Sequence, residues 1–198
     1  MKLTPSISLV GSGVLGFGLS DDYDSHVYWV DGGAESALID AGGGRNLDAI
    51  RSNILKDGRD FSTLRYVLLT HYHADHAGGA AAWKKLTGAQ IICAHDAADA
   101  MIKGDEHAIS LDVARQHGYY PVDYRFPACT VDRKVGEGDR IQIGRWTLEA
   151  LDTPSQARGH LCFRVEIDGL KVAFTGDTVF YCGTIGLIAT HDCNLQDY

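Results

Sequence analysis

The feature that most constrains this chain is a stretch of ten residues, 70–79, with the sequence THYHADHAGG. It places three histidines and an aspartate within six positions, directly after an apolar run. Residues 65–70 predict a buried strand, and the spacing of apolar residues over 77–86 predicts a helix. The histidines therefore lie on a strand-to-helix turn, where a sheet presents its functional groups. Such crowding of imidazole and carboxylate groups predicts a metal site.

Extended backbone gives this motif an expected geometry. Residues i and i+2 of a strand point the same way, so His71 and His73 are expected to face one point, with Asp75 as a third candidate. His76 then approaches from a second direction. Two directions of approach suit two adjacent metal ions better than one.

Length and charge restrict the class of protein. The 198 residues predict a single domain over 1–198, or a pair of duplicated halves, with 45% hydrophobic and 22% charged residues. The net charge of −8 argues against a nucleic-acid partner, because binding to phosphate backbones depends on Lys and Arg. No stretch approaches the ~20 apolar residues that span a bilayer, so no membrane partner is expected.

Cysteine usage and the first residues bear on location. The five cysteines are widely spaced and form no C-x-x-C pair, so we interpret them as reduced and mostly as packing residues. Polar residues, glycines and a proline interrupt the apolar residues of 1–20, which argues against a signal peptide. A cytoplasmic location is therefore predicted. The cysteines are Cys93, Cys129, Cys162, Cys182 and Cys193.

The order of predicted elements indicates a layered α/β arrangement. Short strands predict a meander over residues 7–40, strands and helices alternate over 46–101, and a second meander follows over 130–175. This order resembles a half-repeat, although no sequence repeat is evident. Asp168 and Gly169 predict a tight hairpin in the second meander.

Two loops leave alternatives open. The glycines at residues 42–44 match no phosphate-loop pattern, so a turn that lets the chain pass close to the site is favoured over a phosphate cradle. The aromatic loop at residues 119–126 contains Tyr119, Tyr120 and Tyr124. These tyrosines either form a wall of a substrate pocket or cover a hydrophobic edge of the domain.

The metal motif resembles that of the metallo-β-lactamase-fold hydrolases, the superfamily that includes glyoxalase II and many lactonases. Supporting segments occur in the same order and cover most of the chain. They are LIDAG at 38–42, DTPSQARGH at 152–160 and FTGDT at 174–178.

This resemblance implies an αββα sandwich of four layers, with two metals held at one edge between two sheets. Carried over by position, His71 and His73 would bind the first metal, Asp75 and His76 the second, and Asp177 both. Zinc at two sites is the expected cofactor, with a bridging hydroxide as nucleophile that Asp75 orients or deprotonates.

Two departures from the superfamily pattern affect these expectations. The position that is normally a histidine ligand of the first metal is Gln156, whose amide is a weaker ligand for Zn²⁺ than imidazole. His160 matches a second histidine that is usually supporting, and it is an alternative compensating ligand. The chain also stops at Tyr198, before the last expected histidine, so the second half of the fold is expected to be incomplete and exposed strand edges predict a homo-oligomer or aggregation.

Three functions compete at this stage. The first is a metal-dependent hydrolase that uses metal-bound hydroxide to cleave a small carbonyl substrate such as a thioester, lactone or β-lactam. The second is a mononuclear iron enzyme similar to the persulfide dioxygenases of the same superfamily. The third is a catalytically impaired relic or binding module, motivated by Gln156 and the missing histidine.

Overall fold

The computed structural model of the chain describes residues 1–154, 156–186, 188, 190, 191, 193, 194 and 196. Ser155 of the downstream motif and the final residue Tyr198 lie outside these residues. The described residues form two β-sheets, one of six strands and one of four, with α-helices placed between strands of the first sheet. This confirms the mixed α/β class and the two-sheet architecture predicted from the sequence.

The first sheet is mixed and has the strand order β1-β2-β3-β4-β5-β6. Its first three strands are antiparallel, as the predicted meander requires, and the remaining neighbours are parallel. Each parallel pair is connected by helical crossovers. The strands are β1 Ile7–Gly11, β2 Val27–Asp31, β3 Ser36–Ile39, β4 Leu64–Leu68, β5 Gln90–Ala94 and β6 Arg133–Val135.

The α-helices of the described residues all precede β6 in the chain. The first begins after Asn46, whose side chain caps the helix by accepting a hydrogen bond from Ala49 N. Its apolar face packs on β1, and α3 packs on β4 and β5. The helices are α1 Leu47–Lys56, α2 Ala74–Ala77, α3 Ala80–Thr87, α4 Ala98–Lys103 and α5 Leu111–Gln116.

The second sheet is an antiparallel meander with the order β10-β9-β8-β7. Its strands β9 and β10 are joined by Asp168 and Gly169, which both have positive φ (53° and 78°). This is the conformation of a two-residue hairpin turn, so the predicted hairpin is confirmed. The strands are β7 Arg140–Ile143, β8 Trp146–Asp152, β9 Leu161–Ile167 and β10 Leu170–Phe174.

Burial distinguishes the two sheets. The strand β3 is buried at every position and β5 at every position but its first, as expected of strands covered on both faces. In contrast, β9 ends in an alternation of buried and exposed residues, which indicates one solvated face. The buried face of the second sheet therefore packs against the first sheet, and Trp146 Nε1 donates a hydrogen bond across this junction to Asp31 O (2.9 Å).

The two sheets also meet at the end of β4. Leu161 N, at the start of β9, donates a hydrogen bond to Thr70 O (2.7 Å). The segment that follows β4 therefore lies beside the segments that flank β9 and β10. This junction brings distant parts of the sequence to the predicted metal motif.

Candidate metal centre

The metal motif follows β4 and spans a change from extended to helical backbone. His71 and His73 lie in the extended part, and the helix α2 begins at Ala74, three residues earlier than the sequence predicted. The expectation that Asp75 continues the strand alternation is wrong for this reason. Asp75 and His76 lie on the helical turn instead. There His76 lies next to both Asp75 and Asp177.

One group of ligand-type atoms, the nitrogen half, consists of His71, His73 and Gln156. All three side chains are buried. His71 Nε2 lies 3.1 Å from His73 Nδ1, and Gln156 Nε2 lies 3.2 Å from the same His73 nitrogen. The fold therefore brings Gln156 beside His73, 83 residues away along the chain, where the resemblance implies a ligand of the first metal.

The other group, the carboxylate half, consists of Asp75, His76 and Asp177. His76 Nε2 lies 3.1 Å from Asp177 Oδ1 and 3.4 Å from Asp75 Oδ2. The rings of His71 and His76 are 4.1 Å apart between centroids, so the two halves adjoin. All five ligand residues predicted from the motif and from position 177 are thus brought together, on two adjacent sets of atoms.

Asp40, which follows β3, holds the metal motif in place through contacts with Thr70 and His76. It adopts a left-handed conformation (φ 63°), which aspartate tolerates better than most residues, and it is 3% exposed. Its Oδ1 accepts a hydrogen bond from Thr70 N (2.7 Å), and its Oδ2 lies 2.8 Å from His76 Nδ1. Asp40 thereby fixes the orientation of the His76 ring.

The hydrogen-bond network also assigns the tautomer of His71. The Thr70 hydroxyl lies 2.9 Å from Asp40 Oδ2, and a carboxylate is its strongest available acceptor. Thr70 Oγ1 then accepts from His71 Nδ1 at 3.1 Å. His71 Nε2 is left with its lone pair toward His73 and the nitrogen half, as a metal ligand requires.

His160 is a supporting residue in this structure. Its Nδ1 lies 2.8 Å from Thr153 Oγ1, and its Nε2 accepts a hydrogen bond from Asp177 N (3.1 Å). Both ring nitrogens are therefore engaged, so the geometry does not offer His160 as a replacement ligand. Burial, followed by repulsion from His76, lowers the pKa of His160 to about 3, which keeps the ring neutral.

The electrostatics of the two halves differ. Burial lowers the pKa of His76, but Asp177, Asp75 and Asp40 outweigh it and hold that pKa well above its usual value. Burial and the neighbouring histidines hold the pKa of His71 well below its usual value. Positive charge is therefore stabilised in the carboxylate half, where either a proton on His76 or a metal ion can supply it.

The donor atoms fit a pair of zinc ions. Ligands about 2.0–2.1 Å from a tetrahedral Zn²⁺ lie about 3.3 Å from one another. The distances His71 Nε2 to His73 Nδ1, His76 Nε2 to Asp177 Oδ1 and His76 Nε2 to Asp75 Oδ2 are 3.1–3.4 Å. One ligand atom from each of His71, His76 and Asp177 also lies within 4.8 Å of the other two. Gln156 Oε1 is also buried and accepts no hydrogen bond from the described residues. A buried, unsatisfied amide oxygen is costly, and a cation next to it removes that cost.

Close backbone contacts bring the glycine run to the metal motif. Gly44 has φ 80°, and a Cβ there would lie 2.8 Å from Gly78 O. A Cβ on Gly79 would clash with Ala41 O. The run at residues 42–44 is therefore a turn that passes against the end of α2, as the favoured interpretation predicted.

A cavity of about 1140 Å³ opens above the two halves. His73, Asp75, His76 and Asp177 lie among its lining residues. Its upper walls are largely apolar and include Val14, Leu15, Phe17, Phe180 and Ile188. Buried polar groups below an apolar wall are the usual composition of a small-molecule site.

The three tyrosines divide between the two alternatives left by the sequence. Tyr119 and Tyr120 line the cavity, and Tyr120 OH donates a hydrogen bond to Asp75 Oδ1 (2.8 Å). Tyr124 is 9% exposed and donates to Gly43 O (2.7 Å). Tyr124 therefore packs the loop onto the glycine turn, and Tyr120 contacts the metal motif.

The comparison with known families decides the affiliation. The sequence profile of the metallo-beta-lactamase superfamily matches residues 20–194. The chain belongs to this superfamily. The match includes both halves of the candidate centre and the cavity residues beyond position 20, so the resemblance identified from short motifs is confirmed over most of the chain.

Two similar curated relatives within the superfamily are hydroxyacylglutathione hydrolases. Hydroxyacylglutathione hydrolase of Erythrobacter litoralis is 29% identical over 166 residues, which cover 83% of this chain and 51% of the relative. The same enzyme of Cereibacter sphaeroides is 34% identical over 120 residues, or 61% of this chain and 36% of the relative. The longer of these two matches spans about half the length of the relative.

Solved structures give the same affiliation. A subclass B3 metallo-β-lactamase of Bradyrhizobium japonicum superposes with a TM-score of 0.72 and 27% identity, covering 92% of this chain and 63% of that protein. A metallo-β-lactamase of Cronobacter sakazakii also gives a TM-score of 0.72 and 27% identity, with coverage of 88% and 62%. The two-sheet architecture is thus that of the superfamily.

Sequence reasoning missed three supporting residues: Asp40, Thr70 and Thr153. Asp40 belongs to the LIDAG segment at 38–42, but the sequence pattern alone assigns it no role. The available signal was an aspartate directly after a fully apolar strand, followed by glycines. Such a carboxylate needs a buried cationic or hydrogen-bonding partner, and His76 and Thr70 are those partners here.

Two further predictions from the sequence have outcomes here. Cys93, Cys129 and Cys162 are buried and all five cysteines are free, which agrees with reduced packing residues for these three. Cys182 is exposed and does not fit that interpretation. Within the described residues, no helix has the length and apolar character to cross a bilayer.

Proposed function

We propose that this chain forms the metal-binding domain of a hydrolase that cleaves a small carbonyl substrate, with a thioester as the first candidate. The observation that carries the proposal is the convergence of two sets of ligand atoms at the base of one cavity. The names of the curated relatives, hydroxyacylglutathione hydrolases, support a thioester over a lactone or β-lactam.

Each half of the centre would hold one Zn²⁺ ion. The nitrogen half offers two imidazoles and an amide, and the carboxylate half offers one imidazole and two carboxylates. Two zinc ions there would lower the pKa of a shared water and polarise the substrate carbonyl. Asp177 would be the ligand common to both halves, because its ligand atom lies within 4.8 Å of those of His71 and His76.

Asp75 is the proposed catalytic carboxylate. One of its oxygens faces His76 Nε2, and the other accepts the hydrogen bond from Tyr120 OH. Tyr120 thereby restricts rotation of the carboxylate about its last bond. A fixed carboxylate of this kind would orient the attacking water and receive its proton.

The apolar walls of the cavity would take the remainder of the substrate. Val14, Leu15 and Phe17, in the loop between β1 and β2, are largely exposed. Burying such side chains against a ligand stabilises the complex by about 25 cal/mol per Å² of apolar surface. A substrate that combines an apolar portion with a carbonyl group would therefore suit this cavity.

A cytoplasmic location remains part of the proposal.

The proposal is tested by measuring metal content and activity on the same preparation. We expect about two zinc ions per chain after zinc loading, and hydrolysis of S-D-lactoylglutathione that disappears with a chelator and returns with Zn²⁺. Elemental analysis of protein purified without added metal also measures iron, which tests the persulfide-dioxygenase alternative. Absence of bound zinc after loading would exclude the proposed function.

A second candidate function is a metal-binding module with little or no catalysis. The specific observation that favours it is Gln156, whose amide lies against His73 where the superfamily resemblance places a histidine. The same experiment separates the two candidates. A chain that binds zinc but fails to hydrolyse thioester, lactone and β-lactam substrates fits the binding module.

A further inference from the structure

A second cluster of ligand-type side chains lies outside the candidate metal centre. It consists of His107, Asp112 and His191, whose ligand atoms all lie within 4.8 Å of one another. His107 Nδ1 is 2.9 Å from Asp112 Oδ2, and His191 Nε2 is 3.5 Å from Asp112 Oδ1. The two imidazole rings are 4.5 Å apart between centroids. Each carboxylate oxygen of Asp112 therefore faces a different imidazole.

The contact with His191 is incomplete as a hydrogen bond. Asp112 Oδ1 is shielded from solvent and accepts no hydrogen bond from the described residues. The 3.5 Å to His191 Nε2 exceeds the 2.7–3.2 Å range of good N–H···O bonds. A carboxylate oxygen that has lost its water without gaining a partner is unfavourable, and a cation between it and the imidazole would restore the interaction.

The cluster joins two parts of the chain that are far apart in sequence. His107 precedes α5, Asp112 lies in the first turn of α5, and His191 comes from the segment after β10. The backbone of His191 is already tied to this region, since His191 N donates to Ser110 Oγ (3.1 Å). The three side chains are thus held near one another before any ion binds.

The cluster is separate from the candidate metal centre. It shares no residue with either half, and none of its three side chains lines the large cavity. The neighbouring residues Ser110, Leu111 and Thr190 do line that cavity. The cluster therefore lies on the outer side of the cavity wall, at the point where His191 meets α5.

We propose that His107, Asp112 and His191 form an additional Zn²⁺ site that fastens His191 to α5 at the cavity wall. Two imidazoles and one carboxylate are a three-ligand set typical of zinc sites that keep a position for water. Imidazole ligands select zinc-like ions over Mg²⁺ and Ca²⁺, which prefer oxygen ligands. The site depends on these residues alone, whatever reaction the main centre performs.

The test is a count of bound zinc by equilibrium dialysis and elemental analysis, with Zn²⁺ as the probe. We expect His107→Ala and His191→Ala each to bind about one zinc ion fewer per chain than the unmodified protein. His95→Ala removes an exposed histidine outside both clusters and should bind as many ions as the unmodified protein. Mg²⁺ in place of Zn²⁺ should leave the additional site empty.

The main centre is separated from this count by a second background. In a His76→Ala protein the total zinc falls, but His107→Ala should still remove about one further ion. Asp112→Asn, which keeps the side-chain volume, should give the same loss as His107→Ala, and circular dichroism verifies that each variant is folded. Equal zinc counts in the folded His107→Ala, His191→Ala and unmodified proteins at every free zinc concentration would overturn the proposal.

Discussion

The nitrogen half and the carboxylate half of the candidate centre are adjacent, yet they are built in different ways. The nitrogen half contains no carboxylate, has three buried side chains, and is supported by a short chain of hydrogen bonds from Asp40 through Thr70 to His71. The carboxylate half is acidic, opens into the cavity, and contains the group proposed to handle the proton. A cation is therefore required more strongly by the carboxylate half than by the nitrogen half.

Because the two halves differ in charge, a substitution has a different effect in each. In the nitrogen half, Gln156 replaces one neutral donor by another, and the cost is a weaker ligand with an unsatisfied oxygen. In the carboxylate half, any loss of a carboxylate changes the charge that holds the ion and the pKa of His76. We expect variants of the carboxylate half to have the larger effects.

The largest effect is expected from Asp177→Asn. The change keeps the shape of the side chain but removes the charge nearest His76 Nε2, so zinc affinity should fall by more than the ~10–100-fold typical of outer partners. Zinc titration against a competing chelator measures it. Asp123→Asn, on an exposed loop, is the matched control, and equal affinity in both variants would contradict the division into two halves.

Asp40→Asn should have the next largest effect. Asp40 uses one oxygen for Thr70 N and the other for His76 Nδ1, and an amide offers only one acceptor oxygen. The His76 ring loses its fixed orientation, so zinc affinity should fall by about 10–100-fold. The same titration measures this fall, with circular dichroism to verify folding. An unchanged affinity in a folded variant would mean that Asp40 has no role in orienting His76.

Gln156→His is expected to act in the opposite direction and on the nitrogen half alone. Imidazole is a better ligand than an amide, so the zinc affinity of that half should rise by about tenfold, or about 1.4 kcal/mol. Gln90→His, at the exposed start of β5, is the control for adding a histidine elsewhere. If hydrolysis appears only in the Gln156→His variant, the binding-module hypothesis is favoured; the same activity with and without the change would mean that Gln156 is a sufficient ligand.

Tyr120→Phe should have the smallest effect. It removes one hydrogen bond to Asp75 and leaves all six ligand-type side chains in place. A single hydrogen bond to a charged group contributes about 1.5–3 kcal/mol at most, and we expect a fall in kcat of about fivefold with an unchanged zinc count. Tyr119→Phe is the control, because Tyr119 lines the same cavity and is 66% exposed. A changed zinc count would place Tyr120 among the residues that hold the metal.

Local patterns were sufficient to predict most of the elements. The apolar run of β4 and the turn at Asp168 and Gly169 depend on interactions within a few residues, and sequence patterns report such interactions directly. The start of α2 was misplaced because its first turn carries Asp75 and His76 rather than apolar residues. Helical periodicity has no signal in such a turn.

The sequence by itself determined the superfamily, the candidate ligand residues of the motif and the acidic balance that disfavours nucleic acid. Only the tertiary structure decided how these residues divide into two halves, that His160 supports Asp177, and that Asp40 orients His76. The reason is that the division depends on packing between segments far apart in the chain. The junction of β9 with the end of β4 brings Gln156, His160 and Asp177 to the motif, and no local pattern encodes that contact.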